Sequence, residues 1–400
     1  MAFGDVGMKA AFAQRLGLLI VIGVLCARCG AQAATQKPPA SGSDRTSPPS
    51  YPNQSSTTSN ADAAQAREEL RKGTALSREG RFSDAIPHLL AAQPVLQNEY
   101  VLEFNLSLCY VGVADYKKAI PILEGLRRQG HDDANVENLL AQAYVGDSQD
   151  AEAFAALERA AAISPQNERL YTFVADACMD RQDFELGLRV VETGLGRLPQ
   201  SARLHYARAE FLSQLDQLDR AKTDFELATK LGQGTVIGYL AASQKNMLEG
   251  NIDDAIRIAR EGITQGIQTT ALLEILGKAL MRSGVMPGQP EFNEAQSALE
   301  KAVSEHLRDA SAQIALGQAY LLAGRCDDAI AHLDVARQMK PDQPSIYASL
   351  AKAYQRKGDS QRAKEALQTL QTLNESQAER IRSARGERKM SYGGSSPPLQ

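Results

Sequence analysis

Small residues recur along this chain at a fixed interval: Gly73, Ser107, Ala141, Ala175, Ala209, Ser243 and Gly277 are each 34 residues apart. The series returns 40 residues later at Gly317 and 34 after that at Ala351. Twelve residues behind each of the first six stands a second small residue, at Ala85, Ala119, Ala153, Gly187, Ala221 and Ala255; the column continues at Ala295, eighteen behind Gly277, and at Ala329 and Ala363, again twelve behind. A looser third column follows at Ala92, Leu126, Ala160, Gly194, Ala228, Gly262, Ala302, Ala336 and Leu370. Self-similarity of this length is the mark of stacked supersecondary units. Two antiparallel helices approach closely only where side chains are small, so the first two columns mark the crossing point inside each unit. Bulky residues surround it, such as Leu106, Tyr110 and Leu123, then Leu140, Tyr144 and Leu157. Ala, Leu, Glu, Gln and Arg fill the rest, and no alternating strand pattern of useful length occurs. Gly80, Gly250, Gly324 and Gly358 stand where a first helix must stop, and Pro165, Pro199 and Pro341 where a second must end.

The period settles a question that length leaves open. A chain of 400 residues is long for one core. A stacked array avoids the problem, because each unit buries its apolar face on its neighbours. Composition narrows the partners. Trp is absent, aromatics are 6% and the formal net charge is −4. Aromatic platforms for single-stranded nucleic acid and a basic stripe for its phosphates are both missing from the sequence. No nucleic-acid partner is expected.

The two ends differ from the middle. Lys9 and Arg15, the apolar run Leu16 to Cys26 and the small-x-small site Ala31-Gln32-Ala33 read as a cleavable signal over residues 1–33. The run is too short to span a bilayer comfortably, so no membrane span is expected once it is removed. Residues 34–62, rich in Pro, Ser and Thr, read as a disordered tether, and 390–400 as a disordered tail. Cys26 and Cys29 would leave with the signal. That leaves Cys109, Cys178 and Cys326, an odd number that reads as small hydrophobes inside the helices.

The repeat resembles the tetratricopeptide repeat family. The likeness rests on the 34-residue period, the paired small residues, and near-copies of one turn at Gly80-Arg81-Phe82-Ser83-Asp84-Ala85-Ile86 and Gly324-Arg325-Cys326-Asp327-Asp328-Ala329-Ile330. It covers nine units in register, from about Ala66 to Gln377. The family's usual Trp early in the first helix is missing throughout. Gly187, Gly194 and Gly262 replace Ala and are expected to weaken their helices. The resemblance implies an all-α, right-handed superhelical solenoid of about nine helix–turn–helix units over 63–377, closed by a capping helix at 378–389. Val285 to Pro290 lengthens the turn of the seventh unit by about six residues.

No enzymatic or metal-binding motif emerges, and no cofactor is expected. Gly232-Gln233-Gly234-Thr235-Val236-Ile237-Gly238 has a superficial likeness to a dinucleotide loop, with the wrong spacing and a position between two helices. The five histidines share no ligand spacing. Asp253-Asp254 and Asp327-Asp328 open second helices, where carboxylates cap free N–H groups and suit the dipole. What remains is surface. In the family that this chain resembles, first helices line a groove that takes a peptide or helix of a partner protein. By position, the second unit offers Val101, Phe104, Leu108 and Val111. Asn138 and Gln142 follow in the third and Tyr206 in the fifth. The sixth offers Ile237, Leu240, Met247 and Leu248, the eighth Ile314, Leu321 and Leu322. Leu70 and Thr74 stand where a carboxylate-clamping subtype needs Lys and Asn, so that subtype is set aside. The expectation is a non-catalytic scaffold, exported to the bacterial periplasm or secreted, docking a protein segment in envelope assembly or secretion. The rival expectation is a structural spacer or cell-wall carbohydrate-binding element. Oligomeric state stays open.

Overall fold

The structure, a computed structural model, describes residues 60–392 apart from 132 and 306–309, with side chains described as far as 376. The expected signal (1–33), the tether up to 59 and the tail from 393 lie outside the described residues. Within them stand eighteen helices and no strand. They fall into nine hairpins. The first four are α1 (Asn60–Arg78) with α2 (Phe82–Ala92), α3 (Tyr100–Gly112) with α4 (Tyr116–Arg128), α5 (Ala134–Gly146) with α6 (Asp150–Ile163), and α7 (Glu168–Arg181) with α8 (Phe184–Arg197). Then come α9 (Ala202–Gln214) with α10 (Leu218–Leu231), α11 (Val236–Glu249) with α12 (Ile252–Thr264), and α13 (Thr270–Arg282) with α14 (Pro290–Glu305). The last are α15 (Ala310–Leu322) with α16 (Cys326–Met339), and α17 (Pro344–Lys357) with α18 (Ser360–Tyr392). No described helix is long and apolar enough to cross a membrane.

The small columns do what their chemistry requires. Gly73 faces Leu89, where an added Cβ would stand 2.6 Å from the leucine. Ala85, Ala119, Ala153, Ala221 and their successors are fully buried at the crossings. The glycines expected to weaken second helices have a packing role instead. A Cβ on Gly187 would lie 2.1 Å from the Phe211 ring, and one on Gly194 2.8 Å from the Tyr171 ring. The missing methyl is the seat of an aromatic ring, whose burial offsets the conformational cost of glycine.

Each first helix ends in the same way. The residue before the turn is left-handed in all nine units: Gly80, Ala114, Ser148, Gln182, Asp216, Gly250, Gly284, Gly324 and Gly358. In eight of the nine the next amide reaches back to the helix, as Arg81 N–H does to the Leu76 carbonyl (2.9 Å) and Asp115 N–H to the Tyr110 carbonyl (2.8 Å). This closes orphan carbonyls in the Schellman manner. Arginines close others from the neighbouring unit. Arg181 Nη1 donates to the Val145 carbonyl (2.6 Å), Arg282 Nη1 to that of Met247 (3.2 Å), and Arg356 Nη1 to that of Leu321.

Successive hairpins stack second helix on first helix. Successive first helices also pack closely on one another, whereas successive second helices do not. The first helices therefore form the inner layer of a curved solenoid and the second helices its outer layer. Cys109 and Cys178 are buried free thiols, Cys109 pushed up to about 12 by desolvation, and Cys326 is half-buried. The seventh unit's longer turn lies between α13 and α14, pinned where Met286 N–H donates to Gln289 Oε1 (2.6 Å). At the C-terminal end α18 runs unbroken from Ser360 to Tyr392. The stretch expected as a separate closing helix, 378–389, is thus the continuation of the ninth unit's second helix. At the other end α1 begins at Asn60, inside the stretch expected as tether.

Candidate functional site: the inner face of the first helices

The inner layer presents whatever neighbouring helices leave uncovered, and cover differs along each helix. On α3, Val101 is 45% exposed and Phe104 half-buried beside it. Phe104 stacks on Tyr100 with ring centroids 5.7 Å apart, and Tyr100 donates its hydroxyl to Asp133 Oδ2 (2.8 Å). Burial, followed by that acidic acceptor, raises the Tyr100 phenol above its ordinary value. Two turns on, the expectation fails. Leu108 and Val111 are buried in the continuous core. The first helix of the next unit packs against α3.

Asn138 and Gln142, expected as polar groove residues, are buried too. Gln142 Nε2 donates to Asn138 Oδ1 (2.9 Å), and Asn138 Nδ2 to the Leu170 carbonyl on α7 (2.7 Å). Their amides join α5 to α7. Leu240, Met247 and Leu321 are likewise buried. Tyr206 and Ile314 are half-buried. Tyr206 meets Phe225 edge-on at 5.6 Å, and Ile314 packs against the core shared by the eighth and ninth units. Of the two leucines expected at the end of α15, Leu322 is 42% exposed and Leu321 is not.

The inner face is therefore zoned. Val101 and Phe104 make an apolar station in the second unit. Asp176 and Asp180 on α7 and Glu210 on α9 follow in half-buried positions. Half-buried Ile237 and Leu248 lie on α11, and Ile314 and Leu322 on α15. Lys278 and Arg282 stand on α13, and Lys352 and Arg356 on α17.

Several buried polar groups escaped the sequence reading. Glu137, 1% exposed, is met by Arg159 Nε at 2.8 Å and by Arg127 at 3.7 Å. Asp224, 3% exposed, accepts from Arg208 at 2.7 and 2.8 Å and lies 2.8 Å from His205 Nδ1. The signal was present as a spacing. His88 pairs with Glu69, His205 with Asp224 and His332 with Gln313, each 19 residues apart and each bridging the two helices of one hairpin. Histidine thus has a structural task here, and no metal-binding group of three or more acidic, His or Cys residues occurs among the described residues. The acidic pairs lie in the first turn of their helices, as expected, but make ion pairs in place of cap bonds: Asp254 with Arg257 (2.9 Å), Asp328 with Arg325 (2.7 Å) and Asp327 with Lys357. The glycine-rich loop also has a packing explanation. Thr235 Oγ1 accepts from Gly238 N–H at the start of α11, and a Cβ on Gly238 would stand 2.1 Å from the Gly232 carbonyl.

Three stretches match the family described as tetratricopeptide repeat, residues 202–231, 288–344 and 322–387. No curated protein matches the chain. Among solved structures, it is similar to the APC/C hetero-tetramer Cut9–Hcn1, at 17% identity and a TM-score of 0.49 over 80% of this chain. The chain spans 61% of the length of that protein. It is also similar to a tetratricopeptide repeat protein from Parabacteroides merdae, at 19% identity and a TM-score of 0.41, covering 72% of this chain and 99% of that one. A third similarity is to YrrB, described as a TPR protein with an unusual peptide-binding site, at 17% identity and a TM-score of 0.33, covering 49% and 97%.

Proposed function

This chain is a tetratricopeptide repeat protein built as a protein–protein interaction scaffold, and from that premise we propose that the inner face of its first helices docks an extended or helical segment of a partner protein. The observation that carries the reading is the apolar station of the second unit. Val101 is exposed and Phe104 half-buried on a face where Leu108, Leu240 and Leu321 are sealed. Apolar side chains left in solvent on a concave surface mark contact sites more often than they mark accident. Six units on, Ile314 occupies the repeat position of Phe104, with exposed Leu322 two turns further along the same helix.

The proposal places this scaffold outside the cytoplasm, on the strength of the signal pattern at 1–33, with envelope assembly or secretion as its setting. Amino-terminal sequencing of the protein from its host tests the export step. A mature chain starting near residue 34 supports export, and an intact start with cytoplasmic fractionation overturns it. Docking is tested by crosslinking capture of the tagged protein in its host, beside the double variant Val101→Glu, Phe104→Glu. One defined protein captured by wild type and lost from the variant is the expected result. Equal retention by the variant removes the second unit from the site. Capture of wall polysaccharide insensitive to the variant favours the carbohydrate-binding reading.

A further inference from the structure

The inner face of the last three units carries positive charge that the protein itself leaves mostly uncompensated. Register places the residues together. Lys278, Gln318 and Lys352 occupy one repeat position in units seven, eight and nine, and Arg282, Leu322 and Arg356 occupy the position one turn later. Of the four cations, Lys278 meets Glu274 at 3.2 Å and Ser311 at 2.9 Å. Arg282, Lys352 and Arg356 are exposed, and none has a carboxylate within ion-pair distance among the described residues. The two arginines spend one nitrogen each on main-chain carbonyls of the preceding unit, at Met247 and Leu321, which holds their guanidinium groups on this face. On α15, between the charged helices α13 and α17, stand half-buried Ile314 and the 42%-exposed Leu322.

We infer that units seven to nine form a subsite for an acidic segment of the partner protein with an apolar residue at its centre. The inference rests on the docking reading above and names the chemistry of what is docked. Neighbouring first helices pack at about 10 Å. An extended chain advances 3.3–3.6 Å per residue, so one unit corresponds to about three residues of ligand. A segment crossing the helices then sets one carboxylate against Lys278 and Arg282. Its apolar side chain, three residues along, meets Leu322 and Ile314. A second carboxylate, three further on, meets Lys352 and Arg356. The guanidinium groups suit carboxylates because their remaining N–H donors match both oxygens. Leucine and isoleucine at the centre, with no aromatic ring on these positions, select a peptide over a nucleic-acid strand, which would need stacking partners.

The test uses the full chain and a fluorescein-labelled dodecapeptide centred on Glu-Ser-Thr-Leu-Ser-Thr-Glu, read by polarisation. Binding is expected to weaken about tenfold with Lys on the peptide in place of Glu, and when its Leu is replaced by Ser. Lys352→Glu and Leu322→Glu, at exposed positions whose loss leaves the fold intact by circular dichroism, are expected to weaken it at least tenfold, while Lys352→Arg retains it. Added salt is expected to weaken binding to wild type more than to Lys352→Glu. Equal binding of the acidic and basic peptides overturns the inference, as does indifference to Lys352→Glu, or competition by a single-stranded oligonucleotide as strong as by unlabelled peptide. The result is separable from the broader reading. If host capture depends on Val101 and Phe104 while the acidic peptide fails, the scaffold stands and this subsite falls.

Discussion

At Ala114, Ser148, Gln182 and Asp216 the turn demands a left-handed backbone from a residue that carries a Cβ, with φ between 57° and 63°. Five other units meet the same demand with glycine, at φ of 74–85°. The left-handed region costs an L-residue roughly 1–2 kcal/mol, and glycine gives back part of that through its freer unfolded state. Ala114→Gly is therefore expected to stabilise the second unit by about 0.5 kcal/mol. Amide exchange across the Val113–Ala119 turn should slow by about a factor of two, and faster exchange would show that the alanine methyl makes a contact worth more than the strain. The glycines on which the sequence reading leaned most, at these turns, are thus conveniences of the fold. Its requirement is the backbone angle.

Single helices show where sequence legibility stopped. The crossing columns could be read because two backbones cannot approach over large side chains, whatever surrounds them. Exposure on the first helices could not, because it depends on how far the next hairpin slides over the last. Val101 and Leu108 lie on one helix and looked equivalent, yet only the first is open to solvent. Leu321 and Leu322 are neighbours that both read as groove residues, yet only Leu322 is open to solvent. The hairpin rungs were missed because Asp224 and His205 look like surface residues until the 19-residue offset is noticed. Asp224 makes three charge-assisted or polar contacts with two partners in a nearly closed site. Removing it as Asp224→Ala strands Arg208 and His205 and is expected to cost about 3 kcal/mol, the scale for breaking a buried pair from one side. Urea melts followed by hydrogen exchange in α9 and α10 would register it. A loss under about 1 kcal/mol would mean that water replaces the carboxylate there.

The molecule as a whole is a row of joints of unequal strength. Units one to five share one continuous apolar core that reaches as far as Ala241, and smaller clusters serve the remainder. The change falls at α11. Where α3 offers Leu102, Leu106 and Tyr110 to the preceding hairpin, α11 offers Gly238, Ala242 and Asn246. The backbones approach closely there, as Gly238 shows, but far less apolar surface leaves water. Each lost aliphatic side chain is worth about 1.5–3 kcal/mol. In a linear array, stability is set joint by joint. Amides of α11 should therefore exchange before those of α3 to α9, and limited proteolysis should cut first near residues 231–236. Uniform protection along the chain would mean that close backbone contact compensates in full.

The separation of the two layers bears on mechanics. The inner helices touch from one hairpin to the next, and arginine-to-carbonyl bonds tie several of them, while the outer helices stand apart. A coil built this way resists tighter winding at its inside, where atoms are already in contact. It yields toward straightening, since the outer gaps can close before any bond of the outer layer is broken. Straightening is thus expected to be its softer deformation, and a guest pressing into the hollow is expected to meet helices already in contact.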